Sequence, residues 1–99
     1  MGFISDLLSR KDIDAQGQDL ARRFAKRVPK DKTGDAKRVA AEYELLVGDA
    51  VSYQRRANLG LVGKSRLVNS FRWTLAGDGY SEDFVKEVSG QLAVTLASS

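Results

Sequence analysis

Apolar side chains along this chain recur every three or four positions, and no stretch alternates Val, Ile or Thr with polar residues. That period predicts helices throughout and no strand. A first helix is expected to open near Ser9 or Asp12, because Ser9, Arg10, Lys11 and Asp12 have the spacing of a capping box. Its apolar stripe is Ile13, Leu20, Phe24 and Val28, with Ala21 and Ala25 beside it. Gly17 interrupts that helix at a cost of about 1 kcal/mol relative to Ala. Pro29 has no amide hydrogen and should end it, leaving residues 30–34 as a solvated linker.

The clearest pattern follows. Val39, Tyr43, Leu46, Ala50, Tyr53 and Ala57 are spaced as a heptad seam, which Leu45, Val47 and Val51 widen towards a core-facing stripe. A second helix of roughly 25 residues, about 37 Å long, is expected as the spine. A third should run from Gly63 to Ala76 with Leu67, Phe71 and Leu75 inward, and Gly77 as its left-handed stop. Asp78 and Gly79 then turn the chain. Ser81 caps a fourth helix, with Glu82 and Asp83 at the positive end of its dipole and Tyr80 and Val85 spaced for a hydrophobic staple. Phe84, Val88, Leu92 and Leu96 form the last stripe.

The expected fold is therefore all-α: a compact antiparallel bundle of four helices, or five if residues 3–8 form a short one, with contacts between adjacent helices dominating. Residues 1–99 read as one domain, with 1–9 a short amphipathic N-terminal segment and 10–97 the bundle. Phe3, Ile4, Leu7 and Leu8 make that segment's apolar patch. It is expected to pack across the open end of the bundle or against a second subunit, or alternatively to rest on a membrane surface.

Composition narrows the chemistry. The chain has no cysteine and no histidine, which removes disulfides, thiolate zinc sites, the commonest general acid–base group and every histidine-dependent triad. Only an oxygen-ligated metal could be held, and no cofactor motif is found. No apolar run approaches the roughly 20 residues of a bilayer span. The opening Met-Gly-Phe-Ile-Ser-Asp-Leu-Leu has no basic stretch or long apolar core, so a soluble cytoplasmic protein is expected.

The net charge of +3 is unevenly distributed. Residues 10–38 carry ten basic and five acidic side chains, residues 54–73 carry five basic and none acidic, and residues 74–99 carry one basic and four acidic. Such polarity favours an anionic partner near the first two blocks. Arg22, Arg23, Lys26 and Arg27 lie on the polar side of the first helix and read as a solvated face.

Within the second block, residues 58–65 spell Asn-Leu-Gly-Leu-Val-Gly-Lys-Ser, whose last three letters end a phosphate-binding P-loop. Asn58 stands where the first glycine belongs. A P-loop must also follow a buried strand, whereas here the preceding residues continue a helical heptad. The stretch is read instead as a helix end at Gly60, a short link and a new helix at Gly63.

Seven residues of this region are candidates for contact with a partner: Arg55, Arg56, Lys64, Arg66, Asn69, Arg72 and Trp73. Two helices joined by a short turn resemble a helix-turn-helix, which would place Lys64, Arg66 and Asn69 near the reading end of its second helix. Aligning Ala57 with the usual small residue, however, puts Arg56 and Gly60 where apolar residues should sit. Trp73 lies about 160° from Phe71 and Leu75 and within about 20° of Arg66. It is either an exposed anchor or packed against the first helix or the N-terminal segment with Arg66 over it, and the packed arrangement is the expectation.

Among the carboxylates, Glu42 and Glu44 point apart, and no pair sits in an apolar setting that would raise its pKa for acid catalysis. The expected function is thus a small non-enzymatic binding or adaptor protein whose partner is another protein or a second copy. The alternative is a nucleic-acid-binding module using residues 54–73. Small-molecule binding between helices would leave no mark in the sequence.

Overall fold

The computed structural model describes the backbone of residues 2–99 and the side chains of residues 10–99. It contains four α-helices: α1 (Gly2–Arg27), α2 (Ala36–Arg56), α3 (Leu61–Gly77) and α4 (Glu82–Ala97). A single 3-10 turn, Lys30–Lys32, joins α1 to α2, and no strand occurs among the described residues. The packing expected of Phe3, Ile4, Leu7 and Leu8 falls on side chains outside the described residues.

Helix α1 does not open at Ser9. It runs unbroken from Gly2, so residues 3–8 belong to it and form no fifth helix. Nothing from Gly2 to Asp12 forbids helical dihedrals, and Asp12 serves a different purpose from capping: its carboxylate accepts a 2.6 Å hydrogen bond from the Tyr53 hydroxyl on α2. The helix ends where expected, just ahead of Pro29. Helix α2 is capped by Asp35, whose side chain accepts the amide of Arg38 at 3.1 Å. At 21 residues it is shorter than α1, which has 26.

Contacts fix the helix directions. Along α1, Asp12, Arg23 and Arg27 meet Tyr53, Asp49 and Glu42, so α2 runs against α1. Asp14, Gly17 and Phe24 meet Arg66, Ser70 and Phe71 in ascending order, so α3 runs with α1. Val68 and Ala93, with Leu61 and Ala97, bring α4 back against α3. The chain therefore goes up, down, up and down.

The most extensive packing, however, joins the two parallel helices α1 and α3, followed by α3 with α4. Helix α2, expected as the spine, makes smaller contacts with α1 and α4. Sequence neighbours thus do not dominate the core, because two helices separated by α2 approach more closely than any adjacent pair.

Gly17 explains that approach. A Cβ built on it would lie 2.5 Å from Ser70 Cβ and 2.8 Å from the Leu67 carbonyl oxygen. Only glycine lets the two backbones come this near, which offsets its poor helix propensity. One turn away, the Ser70 hydroxyl donates a 2.6 Å hydrogen bond to the Asp14 carbonyl. Around this crossing the buried set includes Ile13, Leu20, Phe24, Leu67, Phe71, Leu75, Leu92 and Leu96. Phe24 packs edge-on to Phe71, with ring centroids 6.1 Å apart, and stacks on Phe84 at 6.2 Å.

Two further expectations change. Leu45 is exposed, although its neighbours Val47 and Val51 are partly buried against the core. Gly77 is the last helical residue of α3, while the left-handed residue is Gly79 at φ 94°. Ser81 caps α4 as expected, accepting the Phe84 amide at 3.2 Å. Tyr80 stacks on Phe84 at 5.7 Å. Its hydroxyl donates to the Val28 carbonyl at 2.7 Å, with the Ala25 carbonyl 3.2 Å away. It thereby satisfies carbonyls left open at the end of α1.

Candidate binding face

The joint between α2 and α3 settles the P-loop resemblance. The residues before it form helix α2, and Gly63, Lys64 and Ser65 lie within the first turns of α3. The break sits earlier than Gly60 to Gly63. Ala57 caps α2 and Asn58 takes the left-handed conformation at φ 54°, which lets the Leu59 amide reach back to the Gln54 carbonyl at 2.9 Å. Asn is one of the few side-chain-bearing residues that tolerate this region. Gly60 is the extended N-cap of α3, its carbonyl accepting the Lys64 amide at 2.9 Å.

The seven candidate residues divide into three groups. Arg55 and Arg56 are exposed on the last turn of α2. Arg66 and Lys64 are already engaged within the chain. The Arg66 guanidinium forms a fork on the Asp14 carboxylate, with bonds of 2.9 and 2.8 Å. Lys64 Nζ points to the Ser99 carbonyl at 3.4 Å. Asn69, Arg72 and Trp73 sit together on the outer side of α3 and are exposed.

Trp73 departs from the expected packed arrangement, since 68% of its surface is open to solvent. Arg66 does not lie over it. Arg72 does, with its guanidinium carbon 5.6 Å from the ring centroid. The reason is competition: Asp14 offers Arg66 a bidentate charged partner, which outweighs the face of a ring. Trp73 therefore borders a hollow of about 360 Å³ between α1 and α3, lined also by Asp14, Gln18, Arg66, Asn69 and Thr74.

The basic face expected on α1 is likewise only half free. Arg22 and Lys26 are exposed, whereas Arg23 bridges Asp19 at 2.9 Å and Asp49 at 3.0 Å. Arg27 lies 3.7 Å from Glu42. A larger hollow, about 440 Å³, opens between the start of α2 and α4, walled by Val39, Ala40, Tyr43, Phe84 and Val88 with one carboxylate, Glu87.

Among the described residues, no cluster of three or more carboxylates offers a metal site, and no helix is long and apolar enough to cross a membrane. The perturbed titrations belong to structural phenols. Burial first, and then the hydrogen bond to Asp12, push the Tyr53 hydroxyl above its ordinary pKa. Burial raises that of Tyr80, with a smaller contribution from Asp78.

Sequence reasoning missed the roles of Gly17, Asp14 and Asp12. A glycine inside a strong helical stripe was the signal for a close crossing; nothing local marks which carboxylate a remote arginine will choose. What the fold and this face define is an all-helical bundle presenting an aromatic and cationic side. Compared with known proteins, the chain matches no family model, no curated protein and no solved structure.

Proposed function

We propose that this chain is a small non-enzymatic binding or adaptor protein, working in the cytoplasm through contacts with another protein or a second copy. The outer side of α3 around Asn69, Arg72 and Trp73 is its contact face. One observation carries this reading: the only tryptophan is 68% exposed, beside a hollow and under a guanidinium, while four phenylalanines and three tyrosines were available to the same fold. Tryptophan and arginine are the residues most enriched among those that dominate protein interfaces. The lack of histidine and cysteine agrees with a protein that binds rather than transforms.

Nucleic-acid binding through residues 54–73 fits less well. Two of its five cations, Lys64 and Arg66, are directed at the chain's own oxygens. The test uses wild-type and Trp73→Ala proteins as baits, after circular dichroism has shown equal helicity. A protein partner should be retained by the wild type and lost about tenfold or more by the variant, and light scattering reports whether that partner is a second copy. Retention that is nuclease-sensitive and falls steeply with salt would replace this reading with the nucleic-acid one.

A further inference from the structure

On the side of α3 away from α1, a groove follows the seam with α4. Two adjoining hollows, about 220 and 320 Å³, share Val68 and Ala93 as floor. Leu61, Lys64, Ser65, Asn69 and Arg72 form one wall, spaced at helical intervals along α3. Lys86, Ser89, Gly90 and Ala97 form the other along α4. From Leu61 to Arg72 the groove runs about 16 Å, three turns of a helix laid into it.

Three features describe what it would hold. First, it is apolar and shallow, and the large aliphatic side chain of its wall, Leu61, is 73% exposed. Second, its charges have one sign. Lys64, Arg72 and Lys86 line it, and no carboxylate side chain does. Third, Gly90 sits inside α4 where a Cβ would meet nothing within 4 Å. Its backbone needs no glycine, since the only positive-φ glycine among the described residues is Gly79, and alanine there would make a better helix. Gly48 in α2 and Gly77 at the end of α3 also face open space, but they line none of the described hollows.

We infer that the α3–α4 groove docks an amphipathic helix from another protein, with small apolar residues against Val68, Gly90 and Ala93 and acidic residues flanking that stripe. This deepens the protein-binding reading and rests on it. A helix lying over Gly90 can bring its backbone close, as α1 and α3 do at Gly17, and its carboxylates meet Arg72 and Lys86 at the rim. A second copy in the same place would set Arg72 and Lys86 against their own counterparts, so charge argues for a different, acidic chain.

The test selects binders from a displayed library of helix-forming peptides with randomised surface positions, using the whole chain as bait. Enriched peptides should carry an apolar stripe flanked by Asp or Glu. They should bind Gly90→Leu about tenfold or more weakly, because the new side chain fills the docking track. Lys86→Glu, a change at an exposed side chain, should weaken them similarly and favour peptides with Lys in place of the acids. Enriched peptides that are basic, or that bind both variants as well as the wild type, would overturn the inference. Binders lost with Trp73→Ala but indifferent to Gly90→Leu would overturn the groove while leaving the Trp73 contact standing. A dimer that dissociates on Gly90→Leu would name a second copy as the occupant and overturn the acidic partner.

Discussion

Helix α3 has a glycine-bearing neighbour on each side, and the two glycines face different surroundings. On the α1 side Gly17 lies against the backbone and side chain of α3, where even one added carbon would collide with Ser70 and the Leu67 carbonyl. On the α4 side Gly90 looks into empty space above the groove. The first glycine is explained by the chain's own packing. The second is not, since a Cβ at Gly90 would meet no atom of the chain within 4 Å. The seam with α1 is closed by Ser70 and by the Arg66 fork on Asp14, whereas the groove with α4 is left apolar and open.

This contrast can be broken most directly at Gly17. Alanine there should destabilise the fold by about 2 kcal/mol through overpacking, lowering the melting midpoint by roughly 10 °C in a chain of this size. A midpoint that does not move would mean that the close crossing does not occur. Tyr80→Phe should cost about 1 kcal/mol in denaturant titrations, since it leaves the Val28 carbonyl at the end of α1 without its 2.7 Å donor. Gly90→Ala should shift stability in the opposite direction, raising it by about 0.8 kcal/mol because the new methyl meets no obstacle. Opposite signs for the two alanine substitutions are the sharpest form of the comparison; equal signs would end it.

The smallest effect concerns pH. With no histidine in the chain, no side chain ordinarily titrates between pH 5 and 8, so the melting midpoint should stay nearly level there. The raised phenols of Tyr53 and Tyr80 mean that the folded chain holds those protons more tightly than the unfolded one. Their contribution is complete below the ordinary phenol pKa of about 10 and is lost as pH rises through the elevated folded values. A melt series carried above pH 10 should therefore fall, and Tyr53→Phe should flatten that fall.

Much of the architecture was legible in the chain. The stripes Ile13–Leu20–Phe24–Val28, Leu67–Phe71–Leu75 and Val88–Leu92–Leu96 are buried as their spacing required. Pro29 and Ser81 mark a helix end and a helix start for reasons contained in their own covalent chemistry. Other local signals had competing outlets. Ser9 and Asp12 had the spacing of a cap, but a capping residue acts only where a helix begins, and this helix had begun at Gly2. Gly79 rather than Gly77 took the left-handed position, and α2 ended ahead of a left-handed Asn58 rather than at Gly60.

At the proposed contact face the division is similar. Residue order alone placed an off-stripe tryptophan within a basic block on α3, and left the chain without histidine or cysteine. Packing of remote segments directed Arg66 to Asp14, set Arg72 over Trp73, and gave α1 rather than α2 the more extensive contact with α3. Periodicity and capping act within a few residues and can be read from order alone. The choice of partner for a charge or a glycine depends on which remote backbone arrives beside it, and that is settled only when the whole core closes.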